Sequence, residues 1–322
     1  MAELPTTRTA RWRIAVSIVL GAGGVAVIIY FLHATRLEDV RDALVSLSAW
    51  IPVLLAIEGA RIAVEVIGTR SLYAPHRVPI GLLVRTHIIG YCLAFYMPAG
   101  RATAETVKAA MLSKCATPAR AAAVAAVNQS LALLALSAVA TACAIGAACQ
   151  PGAGRLVASV GAVAAITGGL GFAIRFATLR LDSGWLRRFA PKVAVLFDDA
   201  RGEIPRWFPP LPLAMFLLNR ALQLGSIALL MYVLSGHVTL GSTLVAGAVN
   251  YVGASLGDMI PGQLGATDAT FSVSAGLIGL TASTAISIAL IIHIVQMTWM
   301  ATGLAMEAVI RLLAWRQGKR VV

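Results

Sequence analysis

The chain has 322 residues, of which 59% are hydrophobic and only 12% charged, and its mean hydropathy is +0.83. A soluble domain of this size needs far more polar surface, so the composition indicates an integral membrane protein. The formal charge of +12 would suit nucleic acid, but the basic residues collect between apolar runs, which is the positive-inside pattern of cytoplasmic connections. Cys92, Cys115, Cys143 and Cys149 show no CxxC or Cys/His metal spacing and read as small apolar filler.

In chain order, Arg8, Arg11 and Arg13 precede an apolar run from Ile14 to about Phe31. At about 20 residues this run is long enough to cross a bilayer, and no small-residue cleavage site follows, so a retained signal anchor is expected. Arg36 to Trp50 mixes charges with apolar residues at helical spacing and suits a short helix lying at the interface. Ile51 to about Ile67 is a second span, followed by a basic turn with Arg70, His76 and Arg77. Pro98-Ala99-Gly100 divides the next apolar stretch. As helices, Ile80 to Tyr96 would reach about 25 Å and Thr103 to Ser113 about 16 Å, against a hydrocarbon core of about 30 Å, which favours a re-entrant hairpin. Arg120 to about Ala147 and Leu156 to about Ile174 are the third and fourth spans. A connection carrying Arg175, Arg180, Arg187, Arg188, Lys192, Arg201 and Arg206 is assigned to the cytoplasm. Pro209 to Leu234 is a fifth span, Leu240 to about Ile278 a second broken hairpin, and Ser283 to Ile310 the last span before Arg311, Arg316, Lys319 and Arg320.

The two broken hairpins match. In each, a proline is followed seven residues later by a carboxylate, Pro98 by Glu105 and Pro261 by Asp268, and Ala116 to Ala123 runs in register with Gly279 to Ile286. Proline frees backbone groups that lipid cannot satisfy, so a break at membrane depth survives only under protein or around a watery cavity. Paired breaks in two halves point to a transporter's substrate site. The expected fold is an all-α polytopic membrane protein, with about six transmembrane helices plus two re-entrant helical hairpins in inverted repeats. One membrane domain accounts for residues 1–322: first span and interfacial helix (1–50), repeat one (51–147), a connecting span and basic loop (148–208), and repeat two with a basic tail (209–322).

Eight ionisable groups lie in or beside these apolar segments: Glu58, Arg61, Glu65, Arg101, Glu105, Arg220, Asp258 and Asp268. Exposed to lipid, they would cost on the order of 20 kcal/mol together, so they must pair inside the bundle or line a hydrated cavity. Glu58, Arg61 and Glu65 share one helical face. They form either a salt-bridge ladder or part of a ligand site in which Arg61 and Arg220 offer fork-like bonds to a phosphate. Glu105 and Asp268 are placed in the first turn of their outgoing half-helices. There they act either as caps, or as gating acids that pair with Arg61, Arg220 or Arg101 or carry a coupled proton. Gly100, Gly262 and Gly265 relieve strain at the breaks and let backbone N–H groups approach an anion. His87 and His293 are either satisfied interior histidines or proton relays. No phosphate loop is present, Gly318-Lys319 being the only Gly-Lys, and no Ser-His-Asp or metal-ligand spacing stands out, so neither enzyme activity nor a cofactor or metal is expected.

Around the prolines, Pro98-Ala99-Gly100-Arg101-Ala102-Thr103-Ala104-Glu105-Thr106-Val107-Lys108-Ala109 and Ile260-Pro261-Gly262-Gln263-Leu264-Gly265-Ala266-Thr267-Asp268 resemble the transmembrane region of lysylphosphatidylglycerol synthetases and their stand-alone relatives. In that family the first motif tends to have a proline, a basic residue, Gly-Glu and another basic residue, here Lys108, and the second reads Pro-Gly-x-Leu-Gly-x-x-Glu. Ala104 stands where glycine is usual and Asp268 where glutamate is usual. The resemblance implies a lipid flippase whose cargo is an anionic-headgroup or isoprenoid-type lipid, with a sterol-like lipid as a second cargo. The 322 residues hold no soluble aminoacyl-transferring domain, so synthase activity is not implied. Secondary transport of a small solute and membrane-embedded lipid modification are the rival readings. Expected partners are membrane lipids and lipid-biosynthetic enzymes, with no nucleic acid, and the expected location is the cytoplasmic (inner) membrane.

The charge pattern places both termini in the cytoplasm, with the first hairpin entering from inside and the second from outside. Single cysteines replacing Arg77, Gly184 or Gly318 are expected to be shielded from an impermeant thiol reagent in intact cells. Those replacing Gly152 or Gly236 are expected to react, and labelling at position 184 from outside would overturn the arrangement.

Overall fold

The structure is a computed structural model that describes residues 37–97, 100–180, 184, 188, 191–201, 203, 204, 206–258, 260 and 263–316. The expected first span, 14–31, and the break residues Pro98, Pro261 and Gly262 lie outside the described residues. Every regular element among those described is helical.

Helix α1 (Leu37–Ser48) is amphipathic and carries Glu38 and Asp39 in its first turn, where acidic side chains offset the helix dipole. It meets α2 (Ile51–Leu72) at a 66° bend, with Pro52 inside the first turn of α2, where its missing N–H is tolerated. Helices α3 (Ile80–Tyr96) and α4 (Gly100–Leu112) pack against each other as the two arms of the first broken segment. Helix α5 (Pro118–Ala148) and helix α6 (Gly154–Arg180) pack along their length, with Ser130 Oγ donating to the Gly171 carbonyl at 2.8 Å and Ser137 Oγ to that of Ala164 at 2.7 Å. Small and hydroxylated residues at such contacts replace the hydrophobic drive that lipid removes. After α7 (Pro191–Ala200), helix α8 (Pro210–Ser235) ends at Gly236 in the left-handed conformation that glycine adopts without a Cβ penalty. The second broken segment comprises α9 (Leu240–Gly257), the short α10 (Ala266–Val273) and a 3-10 turn (Ala275–Ile278), and α11 (Ala282–Arg316) completes the chain.

Among the described residues, four helices, α5, α6, α8 and α11, are long and apolar enough to cross a membrane, or five spans if α1 and α2 count as one bent element. Five of the six expected spans fall on described residues, and four of those five pass alone. The second expected span does not pass alone, because Glu58, Arg61, Glu65 and Arg70 dilute its apolar character. The interfacial helix expected at 36–50 is α1, and it packs on α11 and α8.

Two apolar clusters divide the core along α5. One gathers Leu72, Val78, Leu83 and Leu112 around Val124 and Val127, so it holds the start of α3 and the end of α4. The other gathers Leu47, Leu230, Val245, Ile278 and Ala285 around Ala140 and Ala147, so it holds α9, the 3-10 turn and the start of α11. Two buried arginines staple loops to the bundle at the first of these ends. Arg120 donates to the carbonyls of Leu72 at 3.0 Å and Ala74 at 2.5 Å and pairs with Glu203. Arg175, only 1% exposed, donates to the carbonyls of Ile204 at 2.8 Å and Trp207 at 2.9 Å. The basic connection therefore uses Arg175 to satisfy backbone groups, a role that its charge alone did not disclose.

In the second hairpin Gly253 lets α9 touch α10. A Cβ there would sit 2.9 Å from the Thr267 Cα and 2.2 Å from Thr270 Oγ1. Backbone cannot yield as a side chain can, so Gly253→Ala should lower stability by about 1–3 kcal/mol. Gly161, with open space around its Cα, gives the control: Gly161→Ala should be neutral or stabilising by up to about 1 kcal/mol, both read as unfolding transitions in detergent.

Candidate functional site

A polar cavity opens between α2, α8, α9, α10 and α11. Glu58 and Arg61 form one wall, and Gln223, Ser226, Asn250, Gln263, Thr267, His293 and Gln296 form the rest, closed by Leu54, Ile227, Leu230 and Val295. It leaves about 60 Å³ of room for the centres of water-sized molecules. One water needs about 10–15 Å³ on that measure, so the cavity holds a few waters or the polar end of a ligand, not a whole lipid.

On the α2 wall, Arg61 pairs with Glu58 at 2.5 Å, one turn away. Tyr91 on α3 donates its hydroxyl to the other Glu58 oxygen at 2.9 Å. The Asn219 amide donates to the Arg61 backbone carbonyl at 3.0 Å, which ties α8 to α2. The expected ladder stops here: Glu65 pairs instead with Arg101 of α4 at 3.4 Å, and the Arg101 guanidinium lies 5.7 Å from the Phe216 ring centre. Arg220 donates to Gln223 at 2.9 Å and sits 6.0 Å from the Tyr251 ring centre. Among the described residues it forms no ion pair with a carboxylate.

The two acids of the duplicated motif have different surroundings. Helix α4 resumes at Gly100, so Glu105 falls in its second turn rather than the first and cannot cap it. Buried Glu105 is ion-paired with Lys108 and faces the Asn128 amide at 3.4 Å. Asn128 also donates to Thr69 Oγ1 at 3.0 Å, and Thr69 lies 3.1 Å from His87 Nε2, whose Nδ1 is 2.9 Å from the Leu83 carbonyl. A carbonyl only accepts, so His87 donates from Nδ1 and accepts the Thr69 hydroxyl at Nε2. His87 is thus a satisfied interior histidine. Helix α10, by contrast, resumes only at Ala266, which puts Asp268 in the first turn. There its Oδ2 accepts the Gly265 N–H at 2.8 Å and lies 3.1 Å from His293 Nε2. Gly265, at φ +82°, is the left-handed link that turns this N–H inward.

The expected pairing of these acids with Arg61, Arg101 or Arg220 is therefore replaced by Lys108 and His293, both nearer partners on the same half. Asp258 is exposed at the end of α9, with the Gln263 amide 3.5 Å away. Cys92 and Cys143 are buried and all four cysteines are free. No cluster of metal-binding side chains occurs among the described residues.

Four amides and His293 in the cavity wall were absent from the expected site. Amides carry no charge and break apolar runs only mildly, but Gln223, Gln296 and Asn250 in helices this apolar were a signal of an interior polar face. The profile of the lysylphosphatidylglycerol synthase transmembrane region matches residues 13–305. The chain belongs to this family. The match spans both hairpins and the cavity, so the polar core is part of the family's transmembrane unit. No curated protein and no solved structure matches the chain significantly.

Glu58 and Arg61 both line the cavity and are ion-paired there. Arg61→Ala should destabilise the protein by roughly 3–5 kcal/mol, because it strands the Glu58 charge. The Glu58→Gln/Arg61→Gln double variant should recover most of that loss in thermal unfolding, whereas two independent losses that add would show that the pair does not act as a unit.

Proposed function

We propose that this family member is a flippase, moving an amphiphile with an anionic headgroup between the leaflets of the cytoplasmic membrane. The observation that carries the reading is Arg220. It stands on a membrane-length helix, bonded to the cavity residue Gln223, with no carboxylate ion-paired to it among the described residues. An unpaired guanidinium in an apolar bundle is costly, and a phosphate supplies both the missing charge and acceptors matched to its fork. Arg61, with its Nε unbonded, offers a second donor toward the same cavity.

The arrangement of the hairpins supports alternating access. The first broken segment starts and ends in the apolar cluster around the N-terminal half of α5, and the second in the cluster around its C-terminal half. Such segments are read as re-entrant elements of an inverted repeat, each closing one side of the central cavity. The headgroup crosses through the cavity while the acyl chains stay beside the bundle. Glu58, Arg61 and Arg220 handle the headgroup. Glu65–Arg101 and Glu105–Lys108 hold the first hairpin, and Asp268 holds the turn of the second. No catalytic step is assigned to the chain.

The test is leaflet exchange of a fluorescent phosphatidylglycerol in reconstituted vesicles, read by quenching of the outer leaflet. The wild type should accelerate exchange, and Arg220→Gln should cut the rate at least about tenfold, equivalent to about 1.4 kcal/mol in the controlling barrier. Solute uptake without exchange would favour a secondary transporter, and a change in lipid mass would favour an enzyme.

A further inference from the structure

We propose that Asp268 and His293 form a proton-binding site on the cavity wall, and that the proton they hold crosses together with the anionic headgroup. The second clause rests on the flippase reading; the first stands on geometry alone.

Asp268 is fully buried. It accepts the Gly265 N–H and faces His293 Nε2 at 3.1 Å, and among the described residues no lysine or arginine pairs with it. Its counterpart Glu105 is ion-paired with Lys108 instead. A carboxylate sealed in an apolar bundle needs a balancing charge or a proton of its own. Here both solutions require the same proton, held either by the imidazole as imidazolium beside carboxylate or by the carboxyl group beside neutral imidazole. The pair shares it as one site.

Three polar atoms at this spot are buried and unpartnered: Asp268 Oδ1, His293 Nδ1 and Thr267 Oγ1. Thr267 and His293 line the cavity. These atoms set unused donors and acceptors beside the cavity wall, and protonation adds an N–H or O–H donor there. No bond between heavy atoms is made or broken; a proton passes from water to imidazole nitrogen or carboxylate oxygen and back.

The other ionisable groups around the pair leave it in control of the local charge. From α2, Glu58 and Arg61 neutralise each other. From α3, Tyr91 is bonded to Glu58. From α8, Arg220 lies against Tyr251 of α9, and Asp258 at the end of α9 is exposed. An anion drawn to Arg220 and Arg61 lowers the potential at Asp268–His293 and favours the protonated pair. By linkage the proton tightens anion binding by the same factor. Headgroup and proton then cross with no net charge moved through a low-dielectric bundle.

The test uses the full chain in phosphatidylethanolamine vesicles with a trace of fluorescent phosphatidylglycerol, a pH dye inside and an imposed pH gradient. In the wild type the probe should accumulate toward the alkaline side, approaching about tenfold for a gradient of one pH unit and one proton per lipid, with proton flux alongside. His293→Gln should lose both the bias and the proton flux, whatever rate of downhill exchange remains. Asp268→Asn, whose amide oxygen still accepts the Gly265 N–H, should do the same and serves if the first variant folds poorly. Wild-type exchange that ignores the gradient, or a bias that survives in both variants, overturns the proposal. If the wild type exchanges no lipid, the flippase reading fails, and the proton site is decided by histidine-selective 15N NMR of the protein in detergent. The resonance assigned by His293→Gln should shift as the pH is varied, and a resonance that stays unchanged overturns the site.

Discussion

A charge inside an apolar bundle persists only with a counter-charge or a hydrated surround, and the helices of this protein are tied together by that requirement. Glu65–Arg101 joins α2 to α4, and Tyr91 reaches from α3 to Glu58 on α2. Asp268–His293 joins α10 to α11, and Asn219 fixes α8 against α2 through the Arg61 carbonyl. Apolar packing against lipid-like neighbours gives such helices little preference for one register over another, because lipid tails are as apolar as leucine. Polar pairs do discriminate, since a slip of one residue would leave a charge facing hydrocarbon. The register of α2, α3, α4 and α8 therefore follows from a few side chains rather than from the many apolar ones around them.

The same logic operates at the ends of the bundle with backbone carbonyls in place of carboxylates. Arg120 and Arg175 reach carbonyls of the loops at 72–74 and 204–207. Each is a long cation whose donors satisfy loop groups that lack helical partners. Aromatic rings Phe172, Phe176, Trp207 and Phe208 cluster at this end, with Phe172 and Trp207 5.4 Å apart. Loop conformation and helix ends are thus set in part by arginines, one of which, Arg175, the charge pattern assigned simply to a cytoplasmic connection.

Much of the architecture was legible because hydropathy and proline act locally. The spans at 118–148, 154–180, 210–235 and 282–313, the helix α1 and both breaks follow from runs of apolar residues and their interruptions. Gly90 and Gly253 extend the duplication: Gly253 follows Gly90 by the same interval that separates Asp268 from Glu105, and each faces the partner arm of its hairpin, Lys108 in one case and Thr267 with Thr270 in the other. The partners of the charged groups were not legible. Helical spacing puts Glu58, Arg61 and Glu65 on one face, but whether Arg61 turns back to Glu58 or on to Glu65 depends on Arg101, brought there by tertiary packing. The choice of Lys108 for Glu105 was within reach, since the two stand three residues apart on a helix. His293, twenty-five residues from Asp268, was not.

Duplication of a motif does not duplicate its chemistry, because the helix after each break begins at a different distance from the acid. Helix α4 starts at Gly100, which carries Glu105 past the first turn, where a longer side chain reaches its neighbour Lys108. Helix α10 starts at Ala266, which holds Asp268 in the first turn, where a short carboxylate can fold back to the Gly265 N–H. One acid is ion-paired with a lysine three residues along its own helix, the other faces a histidine on a second helix.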